Sequence, residues 1–214
     1  MGQKASAQDW PNLNKYQTEN AALQPLESGQ KRIVFMGDSI TEFWSKLCPD
    51  FFTGKPYINR GISGQTTPQM LIRFRPDVIA LKPSIVILLA GANDIAENTG
   101  PSTLEMITDN IISMTELAKA NHIKVILCSV LPATDFWWKQ GLQPAEKIVT
   151  LNKNIKKYAD ANGILYVDYY SAMVNDHKGL KAAYSDDGVH PNKTGYEVMN
   201  PLAEKAIAKV LSNK

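Results

Sequence analysis

A serine that is to act as a nucleophile needs a base, because its free hydroxyl is only weakly acidic. This chain holds three histidines from which that base could come. His122 lies in the turn between a long helical pattern and a strand-like run, at the opposite edge of the expected sheet, and reads as structural. His177 sits in Asn175-Asp176-His177-Lys178-Gly179, a polar turn, and reads as solvated. His190 is different. It ends Asp187-Gly188-Val189-His190 and precedes Pro191, which biases it away from helix and holds it on a loop ahead of the final helical pattern. Asp187, three residues earlier, reaches the ring if Gly188 permits a tight loop. There it would fix the imidazole tautomer and stabilise the imidazolium, as in a Ser-His-Asp triad. The plain alternative is a helix-entry turn with an incidental histidine.

The matching serine is Ser39, in Arg32-Ile33-Val34-Phe35-Met36-Gly37-Asp38-Ser39-Ile40-Thr41. An apolar run ends at Gly37, and an amphipathic segment (Ile40, Phe43, Trp44, Leu47) begins two residues later. That is a strand feeding a helix through a tight turn, with Ser39 at or next to the N-cap. The position lies at the carboxyl end of a parallel strand, where open α/β sheets place their sites. It also lies beside unpaired backbone N–H groups and the positive end of the helix dipole. Ordinary N-capping would equally favour a serine here. Asp38 reads as a brace for the turn rather than as the acid of a triad.

The elements that must position these groups follow a regular alternation. Strands are expected at residues 32–36, 57–59, 84–90, 124–130 and 164–168, and helices at 40–47, 67–74, 102–121, 145–161 and 192–211. A further short turn of helix is expected at 76–81, and Pro201 should kink or divide the last helix. Five strands alternating with helices imply a parallel sheet with right-handed crossovers. The expected fold is a three-layer α/β/α sandwich, five-stranded, of flavodoxin-like order 2-1-3-4-5. Residues 31–214 read as a single domain, and residues 1–30 as an extension packing on it, with a helix through 13–22.

Composition narrows the function. The chain has 214 residues, is 44% hydrophobic, and carries 23 basic against 21 acidic residues, a net charge of +2. Lys153, Lys156 and Lys157 fall on one helical pattern as a solvated face, so nucleic acid is not an expected partner. Cys48 and Cys128 make neither a disulfide framework nor a metal ligand set, and neither a metal nor a cofactor is expected. No run of 18 apolar residues occurs, so no membrane span is expected. Ala5-Ser6-Ala7 resembles the small-residue end of a secretory signal, without an apolar stretch before it. The expectation leans to an exported protein with its signal trimmed, against a plain polar tail.

Gly37-Asp38-Ser39-Ile40, Gly61-Ile62-Ser63-Gly64, Gly91-Ala92-Asn93-Asp94 and Asp187-Gly188-Val189-His190-Pro191 together resemble the four blocks of the SGNH (GDSL) hydrolase family, in order and at family-like spacings. The overall look is similar to the branch of platelet-activating-factor acetylhydrolase subunits and bacterial acyl-esterases. Ile40 replaces the family's leucine, and the Gly-x-Ser-x-Gly elbow of ordinary α/β-hydrolases is absent. The resemblance implies Ser39 as nucleophile, His190 as general base and Asp187 as its orienter. It implies an oxyanion hole from the backbone N–H of Ser39, the backbone N–H of Gly64 and the side-chain amide of Asn93. An uncharged amide donates there without bringing a counter-charge.

The reaction so implied is two-step acyl transfer on a small-molecule or glycan ester. Small acyl groups, acetyl first, are expected, because glycine-lined loops over an open sheet edge do not suggest a deep acyl tunnel. Phe136-Trp137-Trp138, after the fourth strand, could stack on a sugar or grip an apolar leaving group, or could equally cover the sheet edge or a neighbouring subunit. Lysophospholipids and simple short-chain esters or thioesters stay open as substrates. Two other classes compete: a nucleotide-binding module using Arg60-Gly61-Ile62-Ser63-Gly64 as a phosphate cradle, though no Gly-x-Gly-x-x-Gly or Walker pattern occurs, and a catalytically silent carbohydrate-binding descendant of the hydrolase fold.

Overall fold

The computed structural model describes residues 9–212, so the Ala5-Ser6-Ala7 signal-like tripeptide lies outside the described residues. Five strands, β1 (Ile33–Gly37), β2 (Tyr57–Gly61), β3 (Ile85–Leu89), β4 (Lys124–Cys128) and β5 (Leu165–Val167), form one sheet in the order β2-β1-β3-β4-β5. Every pairing is parallel. Around them run α1 (Gln17–Ala22), α2 (Ser39–Leu47), α3 (Pro49–Phe52), α4 (Thr67–Asp77), α5 (Ala92–Ile95), α6 (Leu104–Ala120), α7 (Pro144–Ala161), α8 (Tyr169–Met173) and α9 (Lys193–Ser212).

Successive strand residues face opposite sides of a sheet, and here both sides are apolar. Val34, Met36, Val86, Leu88, Val125 and Leu127 pack against α4, α6 and α7. Ile33, Phe35, Ile85, Ile87, Ile126 and Val167 pack against α2, α3, α8 and α9. Burial on both faces explains the unbroken apolar strands and gives the three-layer α/β/α sandwich. The register then aligns the loops. Gly37 pairs with Gly61 on one side and with Leu89 on the other, so the segments after β1, β2 and β3 leave the sheet abreast.

Several element boundaries differ from the sequence reading. β2 runs on to Gly61, while β4 stops at Cys128 because the Val130 N–H turns to the Asn152 side chain at 2.8 Å. α4 continues through Pro76 to Asp77, and α9 passes through Pro201 uninterrupted. The carbonyls those prolines leave without an N–H partner, of Ile72 and Glu197, belong to exposed residues. Of the 76–81 stretch, the first two residues belong to α4 and the last three form a 3-10 turn, Ile79–Leu81. The helix expected over 13–22 shortens to Gln17–Ala22, because the Asp9 carboxylate takes the Leu13 and Asn14 N–H groups into turns. This segment lies against β2 and α4: Tyr16 donates to Gly61 O, Asn20 meets Arg60 and Asp77, and the Pro11 carbonyl accepts from Gln65.

Candidate active site

Ser39 is the first residue of α2, and Asp38 is its N-cap, accepting from Ile40 N–H at 3.0 Å through Oδ1. The first-turn N–H groups of a helix have no intrahelical carbonyl, so the Ser39 peptide opens onto the loop edge. The Ser39 hydroxyl meets His190 Nε2 at 2.9 Å, and His190 Nδ1 meets Asp187 Oδ2 at 2.7 Å. A carboxylate only accepts, so Nδ1 carries the proton and Nε2 turns its lone pair to the serine.

The chain from 185 to 191 folds into a loop closed on itself. Gly188 adopts φ +78°, a left-handed conformation that glycine takes without a Cβ penalty. That turn lets Asp187 Oδ1 accept from both Val189 N–H (2.9 Å) and His190 N–H (2.7 Å). Ser185 Oγ accepts from Gly188 N–H and lies 3.2 Å from Asp187 Oδ1, while Ser185 and Pro191 form a bridge. Burial raises the Asp187 pKa, but the His190 ring and the two N–H groups outweigh it and hold the carboxyl at about 2. It is ionised wherever an ester assay is run. Asp38 is the opposite case. Its carboxyl is wholly buried, which pushes its pKa up to about 6 despite the Ile40 N–H.

Gly64 and Asn93 join this edge through one polar cluster. Asn93 donates to Gln65 O at 3.1 Å and approaches Asp38 Oδ2 at 3.4 Å. Asn98 donates to Asn93 Oδ1 at 2.8 Å and to Gly64 O at 3.2 Å. The loop before Gly64 is pinned by Glu42, which accepts from the N–H (2.8 Å) and hydroxyl (2.7 Å) of Ser63. Beneath it the fully buried Arg73 donates to Gly37 O (3.0 Å), Arg60 O (2.9 Å) and Asp77 (3.0 Å), tying the ends of β1 and β2 to α4.

The aromatic loop divides. Phe136 is completely buried in the apolar layer and offers no surface to a substrate, which corrects its place among the substrate contacts expected from the sequence. Its ring fills the core end while its neighbours turn outward. Trp137 is largely exposed and packs edge-on to Trp138. Trp138 reaches the site, with its ring centroid 6.1 Å from that of His190. On the His190 ring Phe43 also packs, at 5.4 Å, and beyond it a groove of about 530 Å³ runs past Leu47, Pro191 and Lys193. A larger groove, about 780 Å³, lies at the other end of the sheet among Lys119, His122 and Lys209, away from Ser39. His177 is exposed, and it and His122 lie outside the Ser39 cluster.

The sequence profile of the GDSL-like lipase/acylhydrolase family matches residues 35–198, most of the chain. The chain belongs to that family. A solved GDSL-like lipase from Bacteroides thetaiotaomicron is 52% identical and superposes with a TM-score of 0.91, covering 93% of this chain and 98% of its own. A solved structure from Bacteroides fragilis, also 52% identical, gives a TM-score of 0.93 over 95% of this chain and 99% of that one. Among curated proteins, an acetylxylan esterase of Geobacillus stearothermophilus is 26% identical over 81% of this chain and 92% of its own length. The chain is accordingly an ester-bond hydrolase. Sequence reasoning missed Asn98, Ser185 and Phe43, whose parts in the cluster arise from contacts across the fold. Among the described residues no group of three or more acidic, histidine or cysteine side chains could hold a metal ion, and no helix is long and apolar enough to cross a membrane.

Proposed function

We propose that this hydrolase is a serine esterase that removes small acyl groups, acetyl first, from a carbohydrate. Ser39 attacks the ester carbonyl as His190 Nε2 takes its proton, and Asp187 holds the ring and stabilises the imidazolium. The oxyanion is met by the N–H groups of Ser39 and Gly64 and by the Asn93 amide. Collapse of the tetrahedral intermediate breaks the bond to the alcohol oxygen, which leaves with the proton from His190. Water, deprotonated by the same ring, then attacks the acyl-Ser39 ester, and the carboxylic acid departs as His190 returns the proton to Ser39, ionising in solvent afterwards.

The observation that carries this reading is the unbroken chain Ser39 Oγ to His190 Nε2 at 2.9 Å and His190 Nδ1 to Asp187 Oδ2 at 2.7 Å. Likeness to the acetylxylan esterase along nearly its whole length favours acetyl and a glycan alcohol. Trp138, half-buried beside His190, supplies a ring on which a sugar stacks.

The test compares wild type, Ser39→Ala and His190→Ala, each shown to be folded, on p-nitrophenyl acetate and on acetylated xylo-oligosaccharides. Both variants should fall to near background, and turnover should decline from acetyl to longer p-nitrophenyl acyl esters. Preference for long acyl chains or lysophospholipid would overturn the acetyl assignment. Serine-independent turnover would overturn the triad.

A further inference from the structure

Asn98 stands outside the four sequence blocks, in the turn after α5, yet three of its side-chain bonds converge on the site. Its Nδ2 donates to Asn93 Oδ1 at 2.8 Å and to Gly64 O at 3.2 Å, and its Oδ1 accepts from the Trp138 indole at 3.0 Å. The chemistry of these partners allows one arrangement. An indole N–H only donates and a peptide carbonyl only accepts, so the Asn98 amide has its oxygen towards Trp138 and its nitrogen towards Gly64. That nitrogen can meet Asn93 only through the Asn93 oxygen. Asn93 is buried, and the Asn98 contact leaves its Nδ2 on the side of Gln65 and Asp38, next to Ser39. A second tie, Lys139 Nζ to Glu97 at 2.9 Å, fastens the Trp138 loop to the same turn.

Resting on the proposed acyl transfer, we infer that Asn98 is a positioning residue. It sets the facing of the Asn93 amide and anchors Gly64 by its carbonyl, on the far side of the Gly64 Cα from the N–H, so that it acts on two of the three oxyanion donors. It also links them to Trp138. Asn98 touches neither the nucleophile nor its base, so its removal acts through Asn93 and Gly64.

The test is a double-mutant cycle on p-nitrophenyl acetate, with Ser39→Ala run beside it. Loss of a whole oxyanion donor lowers kcat about 100- to 1,000-fold, and misalignment forfeits a fraction of that. Asn98→Ala should lower kcat about tenfold and leave KM within about twofold. Asn98→Asp, isosteric and still able to accept from Trp138 but unable to donate, should lower it at least as far. In an Asn93→Ala background the effect of Asn98→Ala should shrink to about threefold or less, the share carried through Gly64. Wild-type kcat in both Asn98 variants, or the same tenfold loss in both backgrounds, would overturn the inference while Ser39-dependent turnover keeps the esterase reading intact. Turnover surviving in Ser39→Ala would remove that reading, and the inference with it.

Discussion

Asp187→Asn exchanges one oxygen for nitrogen, and the geometry says which one. Asp187 Oδ1 accepts from two backbone N–H groups, at 2.7 and 2.9 Å, so the asparagine carbonyl is held there. Its NH₂ then takes the Oδ2 place, 2.7 Å from His190 Nδ1. Two N–H groups cannot face each other at that distance. The imidazole must therefore move its proton to Nε2, which turns an N–H rather than a lone pair towards Ser39 and removes the base. A wrong tautomer of this kind lowers kcat by about four orders of magnitude, about 5.5 kcal/mol of barrier. Because the loop keeps its backbone bonds, the melting temperature should change little. The assay is steady-state hydrolysis of p-nitrophenyl acetate from pH 5 to 9, with thermal unfolding alongside. The Asp187 carboxyl, held at about 2, contributes no limb to the wild-type profile in that range. A variant that keeps a tenth or more of wild-type kcat would refute the tautomer argument and remove Asp187 from the triad.

Asp38→Asn tests the buried carboxyl. Its pKa rises from 3.8 to about 6 on folding, so between those values the native state holds a proton that the unfolded chain releases, and stability falls as pH rises through that window. Up to about 3 kcal/mol is involved. Relative to wild type, the variant should therefore gain stability from pH 4 to pH 7; equal pH dependence in denaturant titrations would refute the burial argument. Arg73→Met leaves the buried Asp77 without its Arg73 partner and removes a charged donor from each of Gly37 O and Arg60 O. It should cost about 3–5 kcal/mol in urea unfolding, and a loss below about 1 kcal/mol would show the network to be dispensable. Trp138→Ala should raise KM for acetylated xylo-oligosaccharides about tenfold, as an aromatic platform is worth on the order of 1 kcal/mol or more. An unchanged KM there would remove Trp138 from the sugar contact.

The sequence by itself determined the architecture and most of the cluster around Ser39. Strands buried on both faces read as unbroken apolar runs, and helices as period-3.6 stripes, because those patterns are local consequences of which face meets the core. From parallel strands it follows that the loops after β1, β2 and β3 share an edge, and Pro191 with Gly188 marked the loop that carries His190. The ends of elements were less legible. α4 and α9 run through prolines because packing and exposed carbonyls tolerate what propensity alone forbids. Only the tertiary structure separated Phe136 from Trp138, adjacent but one: in an irregular loop no periodicity tells which ring turns inward, and the answer depends on the space left between α7 and the sheet. It alone likewise joined Asn98 to Asn93, Gly64 and Trp138. Those bonds link residues 5, 34 and 40 positions apart, and an asparagine in a turn carries no mark in the sequence of what its amide will meet once the loops converge.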